Sequence, residues 1–147
     1  MYKHILLPTD GSPLARRAVR AGIKFAKSVG AKVTGFYAAP PATPLEFKGL
    51  LPVGYIDPAE HARLIERAAA RYLAVIERAA KAAGVRCKLE HVTDDYPADA
   101  IVAAAIRNKC DLIFMASHGH RGFTSLLLGS QTQKVLAQSK VAVMVYR

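Results

Sequence analysis

KHILLPTDGSPLARRAV, Lys3–Val19, decides the fold. Lys3 to Pro8 is a short apolar run, and Thr-Asp-Gly-Ser ends it, which predicts a strand running into a turn. Ser12 stands where a side chain caps a helix, and Pro13 at the first helical position costs no hydrogen bond. Ala15, Ala18, Val19, Gly22, Phe25, Ala26 and Val29 then recur at helical spacing, and Gly30 is a natural stop.

The same alternation continues along the chain. KVTGFYA, Lys32–Ala38, reads as a second strand, in which Gly35 marks close packing. The proline-rich connection from Pro40 to Pro58 is long for a compact domain. It is either a lid or an apolar cover, and length alone does not choose. A long helix from Ala59 to about Ala83 buries Ile65, Ala69, Tyr72, Ile76 and Ala80, and Gly84 ends it. Val85 to Val92 reads as a third strand, with Val85, Cys87, Leu89 and His91 on one face. Asp94 or Asp95 caps the next helix, which holds Ala98, Ile101, Val102, Ala105 and Ile106. DLIFMA, Asp111–Ala116, is apolar enough for burial on both faces. A helix starts at Ser130 or a neighbour, and VAVMVY, Val141–Tyr146, is the last strand. Apolar strands alternating with amphipathic helices predict an α/β fold, a doubly wound, Rossmann-like parallel sheet of five strands in one domain.

Composition narrows the function. The chain has 147 residues, 52% of them hydrophobic, and a formal net charge of +10. That length suits one domain with a sizeable core. No apolar run is long enough for a bilayer span, and the first residues lack the features of a signal peptide, so the expected location is the cytoplasm. Cys87 and Cys110 show no disulfide or metal spacing. Arg16, Arg17, Arg20, Lys24 and Lys27 crowd the first helix. A solvated face is the favoured reading over a nucleic-acid surface, because neither a recognition motif nor an aromatic platform accompanies them.

An open parallel sheet binds ligands beyond the carboxyl ends of its strands, where the strand order reverses. Two loops qualify: Pro8–Ser12 after the first strand and Ser117–Ser130 after the fourth. Gly119 and Gly122 permit tight turns and close backbone approach. Gly129-Ser130 precedes a helix, whose free amides grip phosphate oxygens, with the Ser130 and Thr132 hydroxyls as added donors. Asp10 suits a ribose or a base amine, since a carboxylate repels phosphates and accepts hydrogen bonds. The competing reading makes Gly129-Ser130 only a turn and a cap. The segment is neither a P-loop nor a dinucleotide fingerprint, because it lacks the lysine and the glycine spacing.

Taken together, ILLPTDGS, DLIFMASHG, GHRGFTSLLLGS and VAVMVYR resemble the universal stress protein family along the whole chain. The resemblance implies the strand order 3-2-1-4-5, homodimers joined through the last strands, and a branch that binds ATP. That branch carries glycine, two residues, glycine, nine residues, then glycine and serine or threonine. Gly119 and Gly129-Ser130 match, and Ala116 stands at the first glycine. The resemblance places Pro8, Thr9 and Asp10 at the nucleoside end, with Ala38 offering backbone groups to adenine and Ala116 beside the ribose. Gly119 and Gly122 approach sugar and phosphates, and Gly129, Ser130, Gln131 and Thr132 hold phosphates. Gln131 replaces the usual small aliphatic residue.

His118 is expected to orient its loop through a backbone hydrogen bond, with His120 and Arg121 facing solvent. A Mg or Mn ion carried by the phosphates fits better than a His118/His120 metal pair, because nothing nearby completes a ligand set. No general base stands near the glycine segment. The expectation is therefore an ATP-binding stress-response sensor or interaction module, not a dedicated enzyme, with weak or absent turnover. The alternative is a dimeric interaction protein that binds no nucleotide. The last strand, if it lies at the sheet edge, invites pairing with a second copy; burial under the long connection is the competing reading.

Overall fold

The computed structural model describes residues 1–41, 57–119 and 127–147. Five strands, β1 (His4–Pro8), β2 (Lys32–Ala39), β3 (Cys87–Thr93), β4 (Leu112–Ala116) and β5 (Ala142–Tyr146), form one sheet. Its order is β3-β2-β1-β4-β5, with every pair parallel. The strand order expected from the resemblance is the one observed.

Four helices cover the sheet: α1 (Pro13–Val29), α2 (Pro58–Ala83), α3 (Pro97–Arg107) and α4 (Ser130–Gln138). Helices α1 and α2 pack on one face with Ile5, Leu7, Val33, Leu112 and Phe114. The other face sets Leu6, Phe36, Ile113 and Met115 against Ala98, Ile101 and Ala104 of α3 and Val135 of α4. Central strands therefore bury both sets of side chains, and β4 is buried at every position, as its unbroken apolar run requires. Each fully buried Leu, Ile or Phe stabilises the fold by about 1.5–3 kcal/mol.

The local signals work as read in α1. Ser12 Oγ accepts from Ala15 N at 3.2 Å, Pro13 follows, and Gly30 caps the carboxyl end. Gly35 lies flat against α2: a Cβ there would meet Ile76 at 2.9 Å. In β3, Cys87, Leu89 and His91 share one face by alternation; Cys87 and Leu89 pack against the core, and His91 near the strand's end is exposed. Two expectations shift. Neither Asp94 nor Asp95 caps α3, because the N-cap is Tyr96. Asp94 Oδ1, two residues before the N-cap, accepts from Tyr96 N at 2.8 Å, which closes a turn ahead of the helix. The strand boundaries differ by one or two residues, since pairing with neighbours extends β2 to Ala39 and β3 to Thr93.

Candidate functional site

The chain leaves β1 toward β2 and β3 on one side and returns to β4 and β5 on the other. Helices on opposite faces therefore diverge above β1 and β4, and a crevice opens at their carboxyl ends. A cavity of about 480 Å³ lies there. It falls within the range of small-molecule sites, roughly 300–1,000 Å³.

Both loops selected from the sequence line this cavity. Pro8, Thr9, Asp10, Ala38, Ala116, Gly119, Gly129, Ser130, Gln131 and Thr132 all border it. Gly122, His120 and Arg121 lie outside the described residues, as does most of the Pro40–Pro58 connection. The sequence reading missed Ala15, Pro40, Asp95, Pro97, Ile101 and Met115, which also line the cavity. Asp95 obeys the rule that selected Asp10: it is an acid just beyond the carboxyl end of a strand.

The first loop is held from below. Thr9 N donates to Phe36 O at 2.9 Å, Gly11 N to Thr9 Oγ1 at 3.1 Å, and Ser12 N to Asp10 Oδ1 at 2.9 Å. Gly11 has φ +78°, and a side chain there would strike the ring of Tyr72. Tyr72 meets Tyr37 edge-on, with centroids 5.2 Å apart. Burial pushes the Tyr37 phenol above its ordinary pKa, and Tyr72 and the Asp10 carboxylate act in the same direction. The loop thus rests on an aromatic pair.

The second loop packs against the first and against the start of α4. Asp10 Oδ2 occupies the position that a Cβ on Gly119 would take. On the other side, a Cβ on Gly129 would lie 2.9 Å from the α-carbon of His118. Both glycines therefore answer close approach between segments. His118 Nδ1 lies 3.1 Å from Ser117 Oγ, so among the described residues its partner is a side-chain hydroxyl and not the expected backbone group.

Two phosphate-facing roles need correction. The Gly129 amide is not free: it donates to Ser117 O at 2.7 Å. The Thr132 hydroxyl is buried and donates to Ala116 O at 2.9 Å, so its hydrogen is already used. The first intrahelical bond of α4 runs from Gln133 N to Gly129 O. The amides of Ser130, Gln131 and Thr132 precede it and have no acceptor within the helix. These three groups, with the positive end of the helix field, suit an anion.

Gln131 does something its position in the chain does not reveal. Its Oε1 accepts from Ala98 N at 3.2 Å, which supplies α3 with a capping acceptor that Tyr96 lacks. The starts of α3 and α4 are therefore tied together at the cavity wall.

A model of the universal stress protein family matches residues 1–147. The universal stress protein MJ0531 of Methanocaldococcus jannaschii is 30% identical over 147 residues, which is 100% of this chain and 83% of that protein. The universal stress protein in the QAH/OAS sulfhydrylase 3'region of Thermus aquaticus is 33% identical over 147 residues, covering 100% of both. Among solved structures, that of the hypothetical protein MJ0577 matches with a TM-score of 0.78 at 26% identity, covering 99% of this chain and 95% of that one. A universal stress protein solved in complex with cAMP matches with a TM-score of 0.64 at 26% identity, covering 99% and 97%.

Proposed function

The chain belongs to the universal stress protein family, and from that premise we propose that it binds ATP or a related adenine nucleotide in the cavity above β1 and β4. One observation carries the reading: the three α4 amides that have no acceptor among the described residues and the Asp10 carboxylate line the same cavity. Amides grip phosphates, and a carboxylate accepts from ribose hydroxyls or a base amine. Ala38, Pro40, Ile101 and Met115 offer an apolar slot for a base. The relative solved with cAMP supports an adenine nucleotide as the ligand class.

In this reading Pro8, Thr9, Asp10, Ala38 and Ala116 contact the nucleoside. Gly119 and Gly129 keep the walls close, and the family likeness assigns Gly122 to the sugar and phosphates. Ser130, Gln131 and Thr132 bind phosphates through their amides, and a Mg or Mn ion arrives on the phosphates themselves. The chain acts as one domain in the cytoplasm, as a nucleotide-dependent sensor or interaction module with weak or absent turnover. Among the described residues no helix is long and apolar enough to cross a membrane. Calorimetry with ATP, ADP, AMP and cAMP tests the binding. Failure of all four to bind would leave the ligand-free interaction protein as the better reading. Steady phosphate release from ATP, abolished by His118→Ala, would replace the sensor with an ATPase.

A homodimer formed through β5 completes the proposal. β5 is an edge strand, and Val143, Met144, Val145 and Tyr146 are only half-buried. An apolar edge of this kind pairs readily with another chain. A dimer mass in dilute solution is expected; a monomer would remove this part.

A further inference from the structure

The positive charge of the chain is concentrated on one layer. Helices α1 and α2 together carry ten Lys and Arg side chains and three Glu, all exposed. α1 holds no carboxylate at all. The sequence offers a basic helix; the fold sets a second beside it, both packed into the same core cluster. Arg16, Arg20 and Lys24 step along α1 at i+4, and Arg63, Arg67 and Arg71 do the same along α2. Successive positions are about 6 Å apart along each helix. The ion pair found among the described residues, Arg107 with Glu90, joins α3 to β3 and lies outside this layer, whose three Glu leave it strongly positive. Like charges at i+4 destabilise a helix, and a bound polyanion would relieve that repulsion.

We propose that the α1/α2 layer binds the phosphate backbone of duplex nucleic acid without reading its sequence. Three features select this partner among polyanions. Seven of the ten cations are Arg, whose planar fork matches phosphate oxygens. The aromatic side chains of the layer, Phe25 and Tyr72, are half-buried, and the Arg71 guanidinium lies over the Tyr72 ring at 5.2 Å. No stacking platform for single-stranded bases is presented there. Leu64 is the one large apolar side chain exposed on the two helices, so the layer has no wedge for a lipid surface. Contacts limited to phosphates give weak, salt-sensitive binding, with Kd on the order of 10⁻⁴–10⁻⁶ M at physiological salt. The proposal stands on surface charge and is independent of the nucleotide cavity.

The test is fluorescence anisotropy of the full chain with a labelled duplex of about 20 base pairs, across roughly 50–300 mM KCl. Arg20→Glu/Arg67→Glu should weaken binding at least about tenfold and lower the slope of log K against log salt by about 2. Lys134→Glu/Lys140→Glu changes net charge equally on other surfaces and should stay within about twofold of the parent. Circular dichroism and a cooperative thermal melt at the parent's Tm confirm that both variants are folded. Equal losses in the two variants would reduce the effect to overall charge and overturn the proposal. So would an absence of salt-sensitive duplex binding, or binding to phosphatidylserine vesicles without binding to duplex.

Discussion

The Asp10 carboxylate lies against the α-carbon of Gly119, in the space a methyl group there would need. Ser12 N holds the other carboxylate oxygen at 2.9 Å, so the side chain has little freedom to retreat. Gly119→Ala should therefore displace the acceptor assigned to the ribose. ATP affinity is expected to fall about tenfold or more, the loss of roughly one good hydrogen bond. The cost to stability should stay near 1 kcal/mol, because the displaced group is a side chain at the cavity edge. Calorimetry beside thermal melts checks the pair; unchanged affinity would detach Asp10 from the ligand.

Ser130→Pro isolates an amide from everything else. Ser130 is the first residue of α4, where proline is tolerated. Gly129 before it is extended at φ −61°, ψ 154°, which suits a residue preceding proline. The substitution removes one N–H with little change to the helix. ATP binding should weaken about tenfold while AMP binding changes less, with Tm nearly constant. Equal effects on ATP and AMP would place the terminal phosphates elsewhere.

The side chains of Gln131 and Thr132 are predicted to serve the fold. Gln131→Ala removes the acceptor for Ala98 N and should cost about 1 kcal/mol of stability. Thr132→Val leaves the buried Ala116 carbonyl without its donor and should cost about 1–3 kcal/mol. Both variants retain their amides, so ATP affinity should stay within about threefold. Denaturant unfolding and calorimetry separate the two effects, and a large affinity loss in a stable variant would return these side chains to the ligand.

His4 gives the fold a pH dependence at the end of the sheet away from the cavity. Its Nε2 lies 2.7 Å from Oγ1 of the fully buried Thr34. Burial, reinforced by Lys32, holds the imidazole pKa below its ordinary value, against an opposing pull from Asp111. The unfolded chain therefore takes up the proton first as pH falls. Stability from this site is fully present above the ordinary histidine pKa, about 6.5, and is lost between there and the lowered folded value. His4→Gln should flatten that part of the stability profile, measured by urea unfolding from about pH 7.5 to 5. An unaltered profile would rule out His4 as the source.

Much of this was legible from residue order because it depends on local or strictly periodic effects. ILLP and LIFMA read as buried strands since apolar runs uninterrupted by polar positions fit only the middle of a covered parallel sheet. Ser12-Pro13 and Gly30 marked the limits of α1 through backbone chemistry that acts within a few residues. The cavity's far wall was not legible. Ile101 and Met115 reach it because α3 packs on the same face as α4, which no short-range pattern encodes. The Gln131–Ala98 bond spans 33 residues, and the occupied hydroxyl of Thr132 depends on its distance from β4. Hydroxyls near a glycine turn look like free donors until the fold assigns them acceptors.

The amide of Ser117 donates to the carbonyl of Tyr146 at 2.7 Å, so the segment leading to Gly119 is pinned to the last residue of β5. Trimming the tail by two residues would unfasten a wall of the cavity from more than twenty-five positions away in sequence.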